Sequence, residues 1–134
     1  MAFTITIAAV DPRRAATNAM VGEMRSRGAF QSVDFYDGSA TCDWIVSGTL
    51  DHLEEVDEGA DVWIEVGLSA RLKSARTGEV LWQDTSTRRV KVDQRSVPGV
   101  VAGMSRETGA AVEALVTSML NRLSTQASAQ IIHP

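Results

Sequence analysis

The sequence predicts an α+β fold: a two-layer α/β sandwich in the order β-α-β-β-β-β-α, with both helices on one face of a mixed, mostly antiparallel sheet. Three observations predict it. The segment Asp61 to Lys73 alternates without a break, Val62, Ile64, Val66, Leu68, Ala70 and Leu72 against Trp63, Glu65, Gly67, Ser69, Arg71 and Lys73. That is the pattern of a strand packed on one side and open on the other. The short linkers Asp57-Glu58-Gly59 and Thr77-Gly78 join it to strand-like neighbours, as antiparallel hairpins require. Late in the chain Val97, Val101, Met104, Thr108, Val112, Leu115, Met119 and Leu123 recur at steps of three and four, one helix face of about seven turns. One stripe per helix and one apolar sheet face fit two layers.

The elements follow in order. Phe3 to Val10 sets Phe3, Ile5 and Ile7 against Thr4, Thr6 and Ala8, a first strand. Asp11-Pro12 supplies an N-cap and an N1 proline for a helix running to about Arg27. Ala16, Met20 and Met24 mark its inner side, Arg13, Arg14, Glu23 and Arg27 its outer side, and Gly28 is a C′ residue. Gln31 to Asp37 is a short strand ending in the turn Asp37-Gly38-Ser39. The βαβ unit so formed is expected to be parallel and right-handed. Asp43 to about Glu55, Asp61 to Lys73 and Glu79 to Val92 are the three long strands. Ser96 caps the last helix, with Pro98 in its first turn. Gly103 and Gly109 each cost that helix about 1 kcal/mol relative to alanine, so each predicts a close approach to the sheet or the first helix. Residues 1–123 read as one domain, and 124–134 as a flexible polar tail.

Composition narrows the function. A net charge of −4 and a pI near 5.1 give no basic field to attract nucleic acid or anionic lipid. Aromatic content of 5% is too low for a base-stacking platform. The single cysteine, Cys42, excludes an internal disulfide. No apolar run reaches the roughly 20 residues that span a bilayer. The start, MAFTITIAAVDP, has no basic region and alternates like a strand, so no signal peptide is expected. Cys42 has no apolar signal core ahead of it and reads as a half-buried strand residue, not a lipidated one.

Chemistry is hard to find. His52 and His133 belong to no paired metal-ligand spacing, so no metal, cofactor or catalytic residue is expected. Cys42 and His52 lie ten residues apart on one strand, about 33 Å if fully extended, too far for a dyad. Nucleophile-elbow, P-loop and dinucleotide motifs are missing. Glu54, Glu55, Asp57, Glu58 and Asp61 lack the calcium-loop pattern and read as a hydrated hairpin tip. Arg88, Arg89, Lys91 and Arg95 alternate faces and read as charge protecting an edge strand, with an acidic partner as the sharper alternative. Trp63 falls on the face opposite Val62 and Ile64. It marks an interface or ligand groove, or it is a ring covered by long neighbours such as Arg71 and Glu65 or packed under a loop.

The stretch from Cys42 to about Leu120 carries DWIVSGTL, VGLSARL, ARTGEVLW and a helix containing VVAGMS. In these motifs the chain resembles the ABC-type transport auxiliary lipoproteins, envelope components of mammalian-cell-entry-type lipid transport systems. The same rhythm occurs in penicillin-binding-protein activators and curli-type secretion lipoproteins. The resemblance implies a periplasmic domain, outer-membrane-anchored through an N-terminal lipid, with no catalytic residues. This chain departs from it in showing no signal peptide or lipobox. The expectation is a non-enzymatic accessory domain that works through protein–protein contact. Its partners would be a transporter or envelope protein, a second copy of itself, or lipid, but not nucleic acid, and its candidate interaction surface holds Trp63 and Arg71. A related envelope lipoprotein is one alternative. A small hydrolase is the other, and a pocket joining Cys42 or His52 to carboxylates would favour it. A dry packed interior with an open apolar face would favour the binding domain.

Overall fold

The computed structural model describes residues 4–7, 14–35, 42–93 and 96–132. Its elements are β1 (Thr4–Ile7), α1 (Arg14–Arg27), β2 (Ser32–Phe35), β3 (Trp44–Glu58), β4 (Asp61–Ser74), β5 (Val80–Lys91) and α2 (Val97–Ile132). The strands form one sheet in the order β2-β1-β3-β4-β5. β1 pairs in parallel with β2 and β3, while β3-β4-β5 is an antiparallel meander. This is the predicted α+β order. The expected Asp11-Pro12 start and the turn at residues 37–39 lie outside the described residues.

The turns show how the sequence sets the register. Glu58 pairs with Asp61, so β3 runs on past Glu55 and the loop contracts to Gly59-Ala60. Gly59 takes φ 63°, the left-handed value that a two-residue hairpin needs at its first position. The acidic tip is therefore ladder, not loop. It is partly neutralised from β5, where Arg89 pairs with Glu58 and Lys91 Nζ lies 3.2 Å from Asp61. Gly28 ends α1 at φ 64° with its N–H on the Arg25 carbonyl, as a C′ glycine should.

The core lies between one face of the sheet and both helices. Val62, Ile64, Val66, Leu68, Ala70 and Leu72 are buried as the alternation predicts. They share one buried cluster with Ala111, Val112, Leu115, Val116 and Met119 of α2 and with Val21 and Met24 of α1, which packs on α2, β1 and β2. Among the described residues no buried side-chain nitrogen or oxygen lacks a hydrogen-bond partner, as a packed interior demands. Two polar links fasten α2 to β5. The Trp82 indole donates to Ser118 Oγ at 3.1 Å, and Ser118 donates to Asp84. Arg88 donates to Glu107 at 2.8 Å, a carboxylate that is 5% exposed.

α2 departs from expectation at both ends. Val97 and Val101 are 78% and 58% exposed, so these two do not belong to the buried stripe, although Val100 between them packs against the core. The buried line starts instead at Gly103 and Glu107. The two glycines also differ. A Cβ at Gly103 would stand 2.5 Å from Ile64 Cδ1, whereas one at Gly109 would meet nothing within 4 Å. Only Gly103 marks a close approach. At the other end the helix continues to Ile132, past the Leu123 boundary. STQASAQ contains no glycine or proline to stop it.

Candidate functional site on the open face of the sheet

Both helices pack on one side, which leaves the other face of the sheet without a covering layer among the described residues. By register, β4 presents Trp63, Glu65, Gly67, Ser69 and Arg71 there. The face is polar rather than apolar. Hydroxyls run across its middle, Ser69 Oγ lying 3.0 Å from Thr85 Oγ1. The open apolar surface expected of a binding domain is not what this face offers.

An irregularity in β3 decides which residues share this face. Leu50 pairs with Leu68 but His52 pairs with Gly67, so Asp51 is an extra residue. Such a bulge puts two neighbours on one side and reverses the alternation beyond it. Asp51 accepts hydrogen bonds from Ser69 Oγ and, at 2.9 Å, from Thr49 Oγ1. The Ser69 bond, then the Thr49 bond, hold its carboxyl below the usual carboxylate range, with a smaller contribution from His52. His52 follows on the same face, its ring packed against the Gly67 backbone where any Cβ would strike it. Glu54 comes next and lies directly across from Glu65. One ligand atom from each of His52, Glu54 and Glu65 lies within 4.8 Å of the others.

The two predicted surface residues both lie on β4's open side, but not together. Eight positions separate them, about 27 Å of strand. Trp63 is half-buried under Arg89, whose guanidinium carbon sits 4.5 Å from the ring centroid, a cation–π contact. Arg89 thus covers the ring, in the way one of the alternatives assigned to Arg71 and Glu65, and its Nε reaches Glu65 at 3.2 Å. Arg71 is exposed beside a shallow depression of about 310 Å³ lined by Ser47, Thr49, Ser69 and Gln83. The basic residues of β5 are paired: Arg88 with Glu107, Arg89 with Glu58 and Glu65, Lys91 with Asp61. β5 is an edge strand, as read from its charges, whereas Arg95 lies outside the described residues.

Cys42 is partly buried just before β3, ten positions from His52. The structure does not bring these two together. It does bring His52 beside two carboxylates, a cluster that the sequence search for paired histidine motifs missed. A signal was available: Leu50 and Leu53 both face inward at a spacing of three, which in an alternating strand marks a bulge. Among the described residues no helix is long and apolar enough to cross a membrane.

No protein-family model matches the chain, and no curated protein matches it in sequence. Solved structures do match it. A Xanthomonas campestris protein of the family-model DUF330 superposes with a TM-score of 0.76 at 13% identity, covering 96% of this chain and 90% of that one. PelC from Paraburkholderia phytofirmans, solved as a dodecamer, superposes at 0.69 with 17% identity over 87% of this chain and 88% of its own. A putative lipoprotein from Caulobacter crescentus superposes at 0.59 with 12% identity, covering 95% and 91%. The chain therefore shares its fold with the DUF330 protein, PelC and this lipoprotein.

Proposed function

We propose that this chain is a non-catalytic accessory domain of a bacterial cell envelope, acting by protein–protein contact through the open face of its sheet. The observation that carries the proposal is that face itself: a broad, polar sheet surface that no described element covers, beside the edge strand β5, over a core whose described buried polar side-chain atoms are all partnered. Its hydroxyls and charges suit a wet, hydrogen-bonded interface. The fold is one that lipoproteins and a dodecameric protein use, which supports an envelope setting and self-association. The sequence resemblance adds the finer part. In it, the partner belongs to an ABC-type lipid transport system, and the domain works in the periplasm, anchored to the outer membrane in a lipidated form and touching lipid.

Sedimentation of wild type, Trp63→Ala and Arg71→Ala over a concentration series tests this, alone and with the product of a neighbouring transporter gene. A buried interface tryptophan is worth on the order of 2 kcal/mol, so Trp63→Ala should weaken association about 30-fold. Monomers throughout, with partner binding unaffected by either substitution, would remove this face from consideration.

One observation favours the hydrolase reading: His52 stands beside Glu54 and Glu65. The shallow groove there is lined by His52, Glu65, Thr87, Arg88 and Arg89 and holds no serine or cysteine nucleophile. Turnover of an ester or phosphoester that disappears in His52→Ala would promote this reading over the first.

A further inference from the structure

The geometry points to a divalent transition-metal site formed by His52, Glu54 and Glu65, with Zn²⁺ as the ion whose ligand chemistry fits best. It is independent of the protein-contact proposal. The cluster is not a chance meeting of exposed acids, because its nitrogen ligand is placed by two separate features of the fold. The first is the bulge at Asp51, which turns His52 and Glu54 outward. Under uninterrupted alternation from Leu50, both would point beneath the helices and Leu53 would point to water. The second is Gly67, the residue opposite His52. Its missing Cβ leaves the space the imidazole occupies, since a Cβ there would stand 2.6 Å from the ring.

The carboxylates complete the arrangement. Glu54 and Glu65 face each other directly across the β3–β4 ladder, where like charges repel. Arg89 holds Glu65 at 3.2 Å through Oε1, which fixes that side chain and leaves its second oxygen for an ion. Such an outer partner is what oriented metal ligands usually have. No ion pair joins Glu54 to another described residue. Three ligands about 2.0–2.1 Å from a tetrahedral zinc stand roughly 3.4 Å apart. Here the three lie within 4.8 Å, and binding an ion would draw the two flexible glutamate side chains inward to close the difference. Mixed imidazole and carboxylate donors suit zinc better than calcium or magnesium, which take oxygen ligands. The site keeps one coordination position toward solvent.

Titration of the full chain with zinc chloride by calorimetry tests this, in wild type, His52→Ala, Glu54→Gln, Gly67→Ala and His133→Ala. One zinc per chain is expected. Affinity should fall at least tenfold in His52→Ala and Glu54→Gln, both exposed positions whose substitution leaves the core intact. Gly67→Ala should weaken binding similarly by pushing the ring aside, although every ligand is still present. His133→Ala should change nothing. The absence of saturable binding, full affinity in His52→Ala, or loss of binding in His133→Ala alone would overturn the site. Sedimentation of the zinc-binding variants reports separately on self-association, so the two proposals fail independently.

Discussion

Gly103 and Gly109 sit six residues apart in α2, and the same substitution should have opposite effects at the two. Alanine in place of glycine inside a helix gains about 1 kcal/mol from backbone entropy alone. At Gly109 the new methyl meets nothing within 4 Å, so Gly109→Ala should stabilise by most of that amount. At Gly103 the new Cβ lies 2.5 Å from Ile64 Cδ1, well inside contact distance, and Ile64 is fully buried with little room to turn. Overpacking of this kind costs about 1–3 kcal/mol, so Gly103→Ala should come out between neutral and about 2 kcal/mol destabilised. Removing the obstructing methyl gives the decisive arm. Ile64→Val alone should cost about 0.5–1.5 kcal/mol. In that background Gly103→Ala should turn stabilising, a coupling of 1 kcal/mol or more. Urea unfolding at fixed protein concentration reads all four variants, the fixed concentration guarding against linkage to self-association. If Gly103→Ala stabilises as much as Gly109→Ala and shows no coupling to Ile64, then α2 does not lie against β4 at this point.

Three further outcomes follow from the same packing. Val66 is fully buried in the central strand, so Val66→Asp buries an unpaired charge at a cost of several kcal/mol and should abolish the cooperative far-UV melt. An unchanged melting curve would sink the placement of this strand. Arg88→Ala strips the 2.8 Å donor from buried Glu107 and leaves Arg106 at 3.6 Å, a loss of about 1–3 kcal/mol that should appear as a lower urea midpoint. Gly28→Ala places a side chain at φ 64° and should cost about 1 kcal/mol, readable as a fall of a few degrees in melting temperature.

Much of the architecture is written in the period of the sequence. β4 is legible from Asp61 to Lys73 because every second residue is apolar and no bulge interrupts it. The buried line of α2 is legible from Met104 onward for the same reason. Its first turn was not, because Val97 and Val101 keep the period yet stand in water while Val100 between them packs against the core, so the inward face there is turned away from the later stripe. Charge patterning identified β5 as an edge but could not show that its arginines reach both layers, Arg88 to the helix and Arg89 to the hairpin tip. The open-face cluster was hidden more deeply. His52 and Glu54 are two apart in sequence, but Glu65 joins them only through register, and register depends on one inserted aspartate. The Leu50–Leu53 spacing marks the bulge, but no local motif brings Glu65 across to it.

The two-residue turn at Gly59-Ala60 has a consequence for how the chain folds. It closes the longest ladder in the molecule with almost no loop, so pairing can spread from Glu58 and Asp61 toward Trp44 and Ser74 one rung at a time. Each rung adds little closure entropy. β1 is in the opposite situation: its partners begin at Ser32 and Trp44, and no ladder forms until a helix and its loops have been gathered in. The hairpin should therefore be structured in the folding transition state and the parallel edge formed after it. Val66→Ala should then slow folding, whereas Val33→Ala, also buried but on the edge strand, should chiefly speed unfolding. The reverse pattern would place the nucleus at the parallel end of the sheet.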